Sequence, residues 1–464
     1  MTKTEIRAAI ALASIFGVRL MGLFMIYPIF ATYADKLQGS TPALIGLALG
    51  GYGLAQGLLQ IPFGLLSDRI GRKTVICAGL ALFGAGSVIA ALAHTIRGVV
   101  VGRIVQGCGA VGSSILALVA DTTREEIRTR AMAIVGMTIG LSFVIAVLAG
   151  PVVAARFGLS GVFWFTAMLA AVGIGLTLLA VPTPGRLVRH RGAEPVPAML
   201  GRVLRDGELL RLDVAIFALH AILTASFLAV PHVIASAFRL SAAGEWKLYL
   251  PVLAGSVVLM VPAIAVAEAR SRMKEVFLAA ILILVASLAA LTFLRWQAIS
   301  VALALLAFFA TFNIMEAMLP SLITKIAPVD AKGTATGVYS SLQFMGIFVG
   351  GVAGGWVSGF AGARGVFLFA AAVALVWFGV AATMRRPGHY SGRIVRLENR
   401  DPAAMREIVA LLARAPGVVE AVAAPDEQVA YLKVDSTLFD TDAVARIVGP
   451  PSAASATDRS HSPS

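Results

Sequence analysis

The chain has 464 residues, of which 58% are hydrophobic and only 14% charged, with a mean hydropathy of +0.87. Soluble domains carry about 25% charged residues, so the composition excludes an ordinary water-soluble protein and points to a polytopic membrane protein. The net charge of +13 lies in short loops rather than on one basic face, which argues against a nucleic-acid partner, and the two cysteines, Cys77 and Cys108, cannot form a disulfide framework or a CxxC metal site.

The first apolar segment, 8–34, follows a mildly basic start at Lys3 and Arg7. It is too long for a cleaved signal sequence and reads as a membrane helix. Arg19 sits near its middle, where an Arg costs about 2.5–3.5 kcal/mol on insertion scales and must therefore face protein or water. It is either a cavity residue that meets an anionic group or a hydrogen-bonding anchor to neighbouring carbonyls.

Segment 43–66 runs into Gly64-Leu-Leu-Ser-Asp68-Arg69-Ile-Gly71-Arg72-Lys73, a charged turn ahead of segment 74–94. Reversing the chain needs only a glycine and a few polar residues, so this constellation asks for another role. Asp68, at a helix end, can accept hydrogen bonds from the positive N-terminus of a facing helix. The start of the eleventh segment, near Gly333-Thr334, lies on the same side. Arg72 can bridge to Asp121 at the end of segment 97–120. The spacing permits a conformational latch; the plainer alternative is a basic loop that sets topology.

Segment 97–120 carries Arg103, Gln106, Gly107 and Gly109. Gly107-Cys-Gly109-Ala-Val-Gly112 spells a dinucleotide-binding pattern, but it lies inside a membrane segment with no strand before it, so close helix packing explains it. Segments 131–155 and 161–181 complete a first set of six, with Gly136, Gly140, Gly150 and Pro151 in the fifth read as helix-packing residues. The polar insert Pro182–Arg211 separates this set from the next.

The second set comprises 212–238, 247–267, 275–294, 298–326, 333–360 and 364–384. His220 and His232 in the seventh segment either titrate or are satisfied buried histidines. Glu316, the one acidic residue read as well inside a second-half segment, is the candidate for proton coupling; it could instead be a packing carboxylate or a substrate contact. Asn313 and Gln343 are polar, and Gln343 either lines the cavity or joins helices. Gly350-Gly351 and Gly354-Gly355 carry the small-residue packing reading.

Pro62, Asp68 and Arg72 recur as Pro262, Glu268 and Arg272. Together with the six-plus-six count, this argues for duplication of a six-helix unit, a plan that places substrate near the bilayer midplane between the halves. An inside N-terminus puts 21 Lys/Arg in the inside loops and the segments flanking the first and last helices, against 7 in the outside loops, so both termini are expected in the cytoplasm.

Beyond Met384 the pattern turns soluble. Ile394–Leu397 reads as a strand, and Asp401-Pro402 caps a helix through Arg414 whose Met405, Ile408, Val409 and Leu412 share one face. Gly417 ends that helix. Val418–Ala423 and Gln428–Val434 read as strands joined by Pro425-Asp426-Glu427, and a second helix runs from Thr441 until Gly449-Pro450. The order βαββα resembles a ferredoxin-like domain without its last strand, and 451–464 reads as a disordered tail.

Several of these residues carry a family resemblance. Gly64, Asp68, Arg69, Gly71, Arg72 and Lys73 match the signature loop of the major facilitator superfamily, and Arg103, Gln106, Gly107 and Gly109 match its fourth-helix motif. Gly136, Gly140, Gly150 and Pro151 resemble the fifth-helix motif of its antiporters. Arg19-Leu-Met-Gly-Leu-Phe-Met, Glu316-Ala-Met-Leu-Pro320 through Lys332-Gly-Thr and the C-terminal extension resemble the YajR type of efflux transporter within that family. The resemblance implies twelve transmembrane helices in two six-helix bundles plus a small α+β domain. It also supports the latch and implies that Arg103 influences proton transfer; the alternative for Arg103 is a structural tie to the first or second helix.

The expected units are therefore an N-terminal bundle 1–181, a linker 182–211, a C-terminal bundle 212–385, a cytoplasmic domain 390–450 and the tail. The expected function is a secondary transporter of the inner membrane, not an enzyme, with lipid, protons and a small-molecule substrate as partners. No cofactor or metal is expected, because no nucleotide, nucleophile or metal motif is visible. Proton antiport efflux leads, with proton symport of an anionic metabolite, or a sensor signalling through the C-terminal domain, as alternatives.

Overall fold

The computed structural model describes residues 3–123, 125–182, 197–241, 244–270, 272–386, 390–397, 401–425, 428–435 and 437–448. Most of the linker, the Asp426-Glu427 turn, Gly449-Pro450 and the tail lie outside the described residues. Ten helical stretches are long and apolar enough to cross a membrane. Two of them are double: Glu125–Leu179 folds back at Gly158 (φ 67°, ψ −172°) and Lys332–Ala382 at Gly362 (φ 63°, ψ −165°). Only glycine adopts that backbone without strain, so each long helix is two spans joined by a one-residue hinge. Twelve spans result, in two bundles of six.

Two spans are less regular than the apolar runs suggested. The first is helical over Lys3–Phe24, loosens through turns at Met25–Ile29 and resumes at Phe30–Ala34. Pro28 lies in the interruption; it has no N–H to give and its ring crowds the preceding turn. The fourth is split into Ile96–Gly107 and Gly112–Thr122. At that break a Cβ on Gly109 would stand 2.3 Å from the Gly79 carbonyl oxygen, so the backbones of spans three and four touch.

The bundles meet along spans two (Pro42–Ile70) and eleven. A Cβ on Gly46 would fall 2.1 Å from the Gly351 carbonyl oxygen, one on Gly53 2.4 Å from that of Phe344, and one on Gly355 2.5 Å from that of Pro42. Gly350 and Gly354 face span seven (Gly207–Phe238) in the same way, against Ala221 and Ala225. Such contacts let backbones pack without bulky side chains between them. Among the described residues these approaches of spans two and eleven run from Pro42 to Gly57, toward the end away from the C-terminal domain. Tyr27 of span one touches Thr224 (3.4 Å) and Phe227 (ring centroids 5.3 Å) of span seven. The structure is thus the conformation in which the far ends of the two bundles are packed together.

Gly107 and Gly150 pack as expected, their Cβ positions 2.3 Å from the Tyr52 oxygen and 2.4 Å from the Met25 oxygen, and Pro151 is buried. Gly136 and Gly140 do not: both are exposed, with nothing within 4 Å. The helix-packing reading of these two is corrected, because they point away from every neighbouring span.

The C-terminal domain is a three-stranded antiparallel sheet, β1 (Tyr390–Arg396), β2 (Val418–Ala424) and β3 (Val429–Asp435), in the order β1-β3-β2. Arg393 and Ala421 both face Leu432 across the ladders. Helices Pro402–Leu412 and Thr441–Val448 bury Met405, Ile408, Leu412 and Val444 against Leu432 and Val434. Each helix has an aspartate cap. Asp401 accepts from Ala403 N (2.9 Å) and Ala404 N (2.6 Å), and Asp440 from Asp442 N (2.9 Å) and Ala443 N (3.0 Å). β1 starts four residues earlier than expected, where Ser391-Gly392 conceals the alternation.

Candidate functional site

The charged turn after span two is built around Gly71 (φ 97°), a conformation open to glycine, so that Arg72 can start the next helix facing inward. Arg72 Nη1 donates to Asp68 Oδ1 at 2.7 Å and to Ser67 Oγ at 3.2 Å, and its Nε donates to Asp121 Oδ2. The three charged side chains are only 7%, 2% and 0% exposed, in the order Asp68, Arg72, Asp121, so this is a buried ion network. Lys73 Nζ donates to the Val181 carbonyl (3.0 Å), tying the turn to the end of span six, while Arg69 is exposed. Gly64 is buried.

Asp68 is occupied by Arg72. Among the described residues it makes no hydrogen bond to Gly333 or Thr334, so the bond expected from the start of span eleven is not made in this conformation. The reason is geometric: the close contact of spans two and eleven is at their other ends.

In the first bundle, Arg19 is 1% exposed and donates from Nη2 to Tyr52 Oη (2.7 Å) and Gln56 Oε1 (2.5 Å). Gln56 Nε2 passes the chain on to Gln60 Oε1 at 2.7 Å. Arg19 Nε is buried with no partner. Its partners are side chains on span two, not the neighbouring carbonyls of the anchor reading. Arg103, also 1% exposed, is held by the Ala48 and Leu49 carbonyls (3.2 and 3.4 Å) and by Gln106 Oε1 (2.8 Å), and lies 5.1 Å from the Tyr52 ring centre. It is a tie to span two. Neither arginine has a carboxylate partner among the described residues, so both guanidinium charges are met there by neutral groups alone.

The interior of the second bundle holds carboxylates of its own. His220 Nε2 lies 2.8 Å from Gln343 Nε2, and His220 Nδ1 lies 3.2 Å from the Ile216 carbonyl oxygen. An amide N–H can only donate, so Nε2 accepts and the proton sits on Nδ1, which fixes the neutral tautomer. Gln343 Nε2 also donates to Glu316 Oε1 at 3.5 Å, and Glu316 Oε2 lies 3.8 Å from His220 Nε2. Gln343 thus joins spans seven, ten (Ala298–Ile326) and eleven at one point. The Glu316 side chain is 31% exposed, yet its Oε2 is buried without a hydrogen-bond partner. Phe312 covers His220 (5.9 Å) and stacks on Phe143 of the first bundle (6.1 Å, 28°).

Two features depart from the sequence reading. His232 is exposed, so the buried-histidine reading holds only for His220. Glu316 is not the sole acid inside the second half. Asp213 of span seven is 1% exposed, and both its carboxylate oxygens are buried without a hydrogen-bond partner. The Tyr339 hydroxyl is likewise buried and unpartnered, within electrostatic range of the Glu316 and Asp213 carboxyl groups. Asp213 stands at the edge of the apolar run, but the helix begins six residues before it, at Gly207. Asn313 Nδ2 donates to Ser256 Oγ (2.8 Å) and belongs to the contact between spans eight and ten.

Comparison with known proteins places this geometry in a family context. Residues 12–350 match the family model described as Major Facilitator Superfamily. The chain is 42% identical over 436 residues to the inner membrane transport protein YajR of Escherichia coli (strain K12), covering 94% of this chain and 96% of that protein. It is 26% identical to the multidrug resistance protein MdtH of Aeromonas salmonicida (strain A449), across 75% of this chain and 86% of the other. Among solved structures, a bacterial homologue of the human lysosomal transporter Spinster superposes with a TM-score of 0.65 at 14% identity, over 82% of this chain and 96% of that one. The human organic anion transporter MFSD10 superposes with a TM-score of 0.60 at 17% identity, over 82% of this chain and all of that one. These two likenesses establish the shared fold.

Proposed function

The chain belongs to the major facilitator superfamily, and we propose that it is a proton-coupled secondary transporter that exports small amphipathic compounds by antiport, with both termini in the cytoplasm. The observation that carries the reading is the Glu316–Gln343–His220 cluster, where a partly accessible carboxylate touches a buried imidazole through one amide. Protonating Glu316 removes a charge from the contact of three spans. Protonating His220 at Nε2 would require Gln343 to turn its oxygen toward the ring, because its N–H can no longer be accepted there. Either event changes how span ten packs against seven and eleven. Asp213 and Tyr339 extend the same polar patch.

Alternating access follows from two contact sets. The glycine seam of spans two and eleven closes the far end, as it does here. In the opposite state the Asp68–Arg72–Asp121 network would accept the start of span eleven and close the near end. The likeness to a multidrug resistance protein supports export.

A second reading, proton symport of an anionic metabolite, is favoured by Arg19, whose charge has no carboxylate partner among the described residues and whose Nε lacks a hydrogen bond. Inverted membrane vesicles with an acidified lumen separate the two. Under antiport, a compound added outside dissipates the pH gradient. Under symport, the gradient falls only when the compound is loaded in the lumen. A gradient indifferent to both, with correctly inserted protein and a broad compound panel, would refute proton coupling and favour a sensor.

A further inference from the structure

A cavity of about 220 Å³ opens where the end of span ten and the start of span eleven meet β1 and β3 of the C-terminal domain. Lys325, Lys332 and Lys433 line it together with Thr324, Ser391 and Gly392, and no carboxylate is among the described lining residues. Two acids of this region, Asp330 and Glu420, pair with Arg202, each at 3.2 Å, and Glu420 also accepts from Val329 N at 3.4 Å; Glu420, opposite Lys433 in the sheet, offsets the charge of Lys332 and Lys433 only in part. Lys332 has no ion pair among the described residues, and the Lys325 ammonium has only the Met273 sulfur at 3.7 Å. Lys433 Nζ donates to the Ile326 carbonyl at 2.8 Å. Burial pulls the Lys433 ammonium below the ordinary lysine range, and Glu420 and Asp206 offset this only in part.

Two further details point to a ligand site. The Ser391 hydroxyl is buried with no hydrogen-bond partner. A Cβ on Gly392 would lie 2.6 Å from Lys332 Nζ, so the glycine is what lets that ammonium reach the cavity beside Ser391. Three converging cations and an unpartnered hydroxyl suit an anion with several acceptor oxygens. Size narrows the choice. The cavity is smaller than the roughly 300–1,000 Å³ of sites for drug-sized ligands, which leaves room for a phosphate or a small phosphate ester but not for a nucleotide.

We propose that this cavity, formed by Lys325, Lys332, Lys433 and Ser391, is a binding site for a phosphate group, which fastens the C-terminal domain to the loop joining spans ten and eleven. These spans carry Glu316 and Gln343, so the bound anion ties the domain to the elements that must rearrange during transport. The phosphate comes either from a small soluble ester or inorganic phosphate, or from the headgroup of an anionic lipid.

The test uses the full-length protein in nanodiscs of phosphatidylcholine and, separately, of phosphatidylglycerol, with radiolabelled inorganic phosphate as the probe. The expected result is saturable binding at one site per chain, weakened about tenfold or more in Lys332→Gln and in Lys325→Gln, with Ser391→Ala as a milder third variant should a lysine variant fold poorly. Equal affinity in both lipids assigns the site to a soluble phosphate. Weaker binding in phosphatidylglycerol, competed by the lipid, assigns it to the headgroup. Absence of saturable binding in both lipids, or wild-type affinity in folded variants, would overturn the proposal.

Discussion

Replacing Gly46 by alanine probes the seam that closes the far end of the transporter. The added Cβ would lie 2.1 Å from the Gly351 oxygen, 2.7 Å from Gly355 Cα and 3.0 Å from Gly355 N. All three are backbone atoms, so no side-chain rotation relieves the clash and the two spans must separate by about an ångström. Overpacking of this kind costs about 1–3 kcal/mol. The cost falls on the far-end-closed state alone, because the spans part in the other state. At 1.4 kcal/mol per decade, the equilibrium shifts about 5- to 150-fold toward the far-end-open state. The assay is electron–electron distance measurement between spin labels at Gln38 and Ala361, both exposed, in a background with Cys77 and Cys108 replaced. Gly46→Ala should populate the longer distance. Gly175→Ala, with nothing within 4 Å of the new Cβ, should leave the wild-type distribution unchanged. Identical distributions for Gly46→Ala and wild type would refute the seam as the closing element.

Three other predictions concern separate parts of the molecule. Arg72→Met leaves the buried Asp68 and Asp121 carboxylates without their shared cation and should destabilise the protein by about 3–5 kcal/mol, read as a lowered melting temperature; Asp68→Asn in the same chain should restore part of the loss. Glu245, just ahead of span eight (Trp246–Ala269), is 3% exposed, and burial holds its carboxyl up at about 8 rather than near 4.5. The folded chain therefore keeps a proton that the unfolded chain releases, and stability should fall by a few kcal/mol as pH rises through that window; Glu245→Gln should flatten this dependence in melting curves taken at several pH values. Asp213→Asn should fold normally yet slow substrate-linked proton movement in vesicles, whereas His232→Gln, at an exposed site, should leave it unchanged.

The fold was legible because its punctuation is local. Apolar runs of spanning length, single hinge glycines and charged turns mark where helices begin and end, and alternation with aspartate caps marks the βαββα domain. Which face of a span looks inward was not legible. In a membrane, lipid-facing and protein-facing surfaces are both apolar, so the pattern offers no stripe to orient Gly136 and Gly140 outward or His232 toward the surface. The burial of Asp213 was not legible for a related reason: at the edge of an apolar run, burial and exposure look alike. The pairing of His220 with Gln343 and Glu316 joins three spans distant in sequence, and only the packed bundle brings them together.

The central claim is that Glu316 carries the proton exchanged for substrate. Its most direct test is substrate-induced proton movement in inverted vesicles, followed with a pH-sensitive dye, for wild type and Glu316→Gln at matched expression and insertion. Loss of the substrate-dependent signal in Glu316→Gln, with substrate binding retained, is the predicted result. An undiminished signal in that variant would contradict the assignment and take Glu316 out of the proton path.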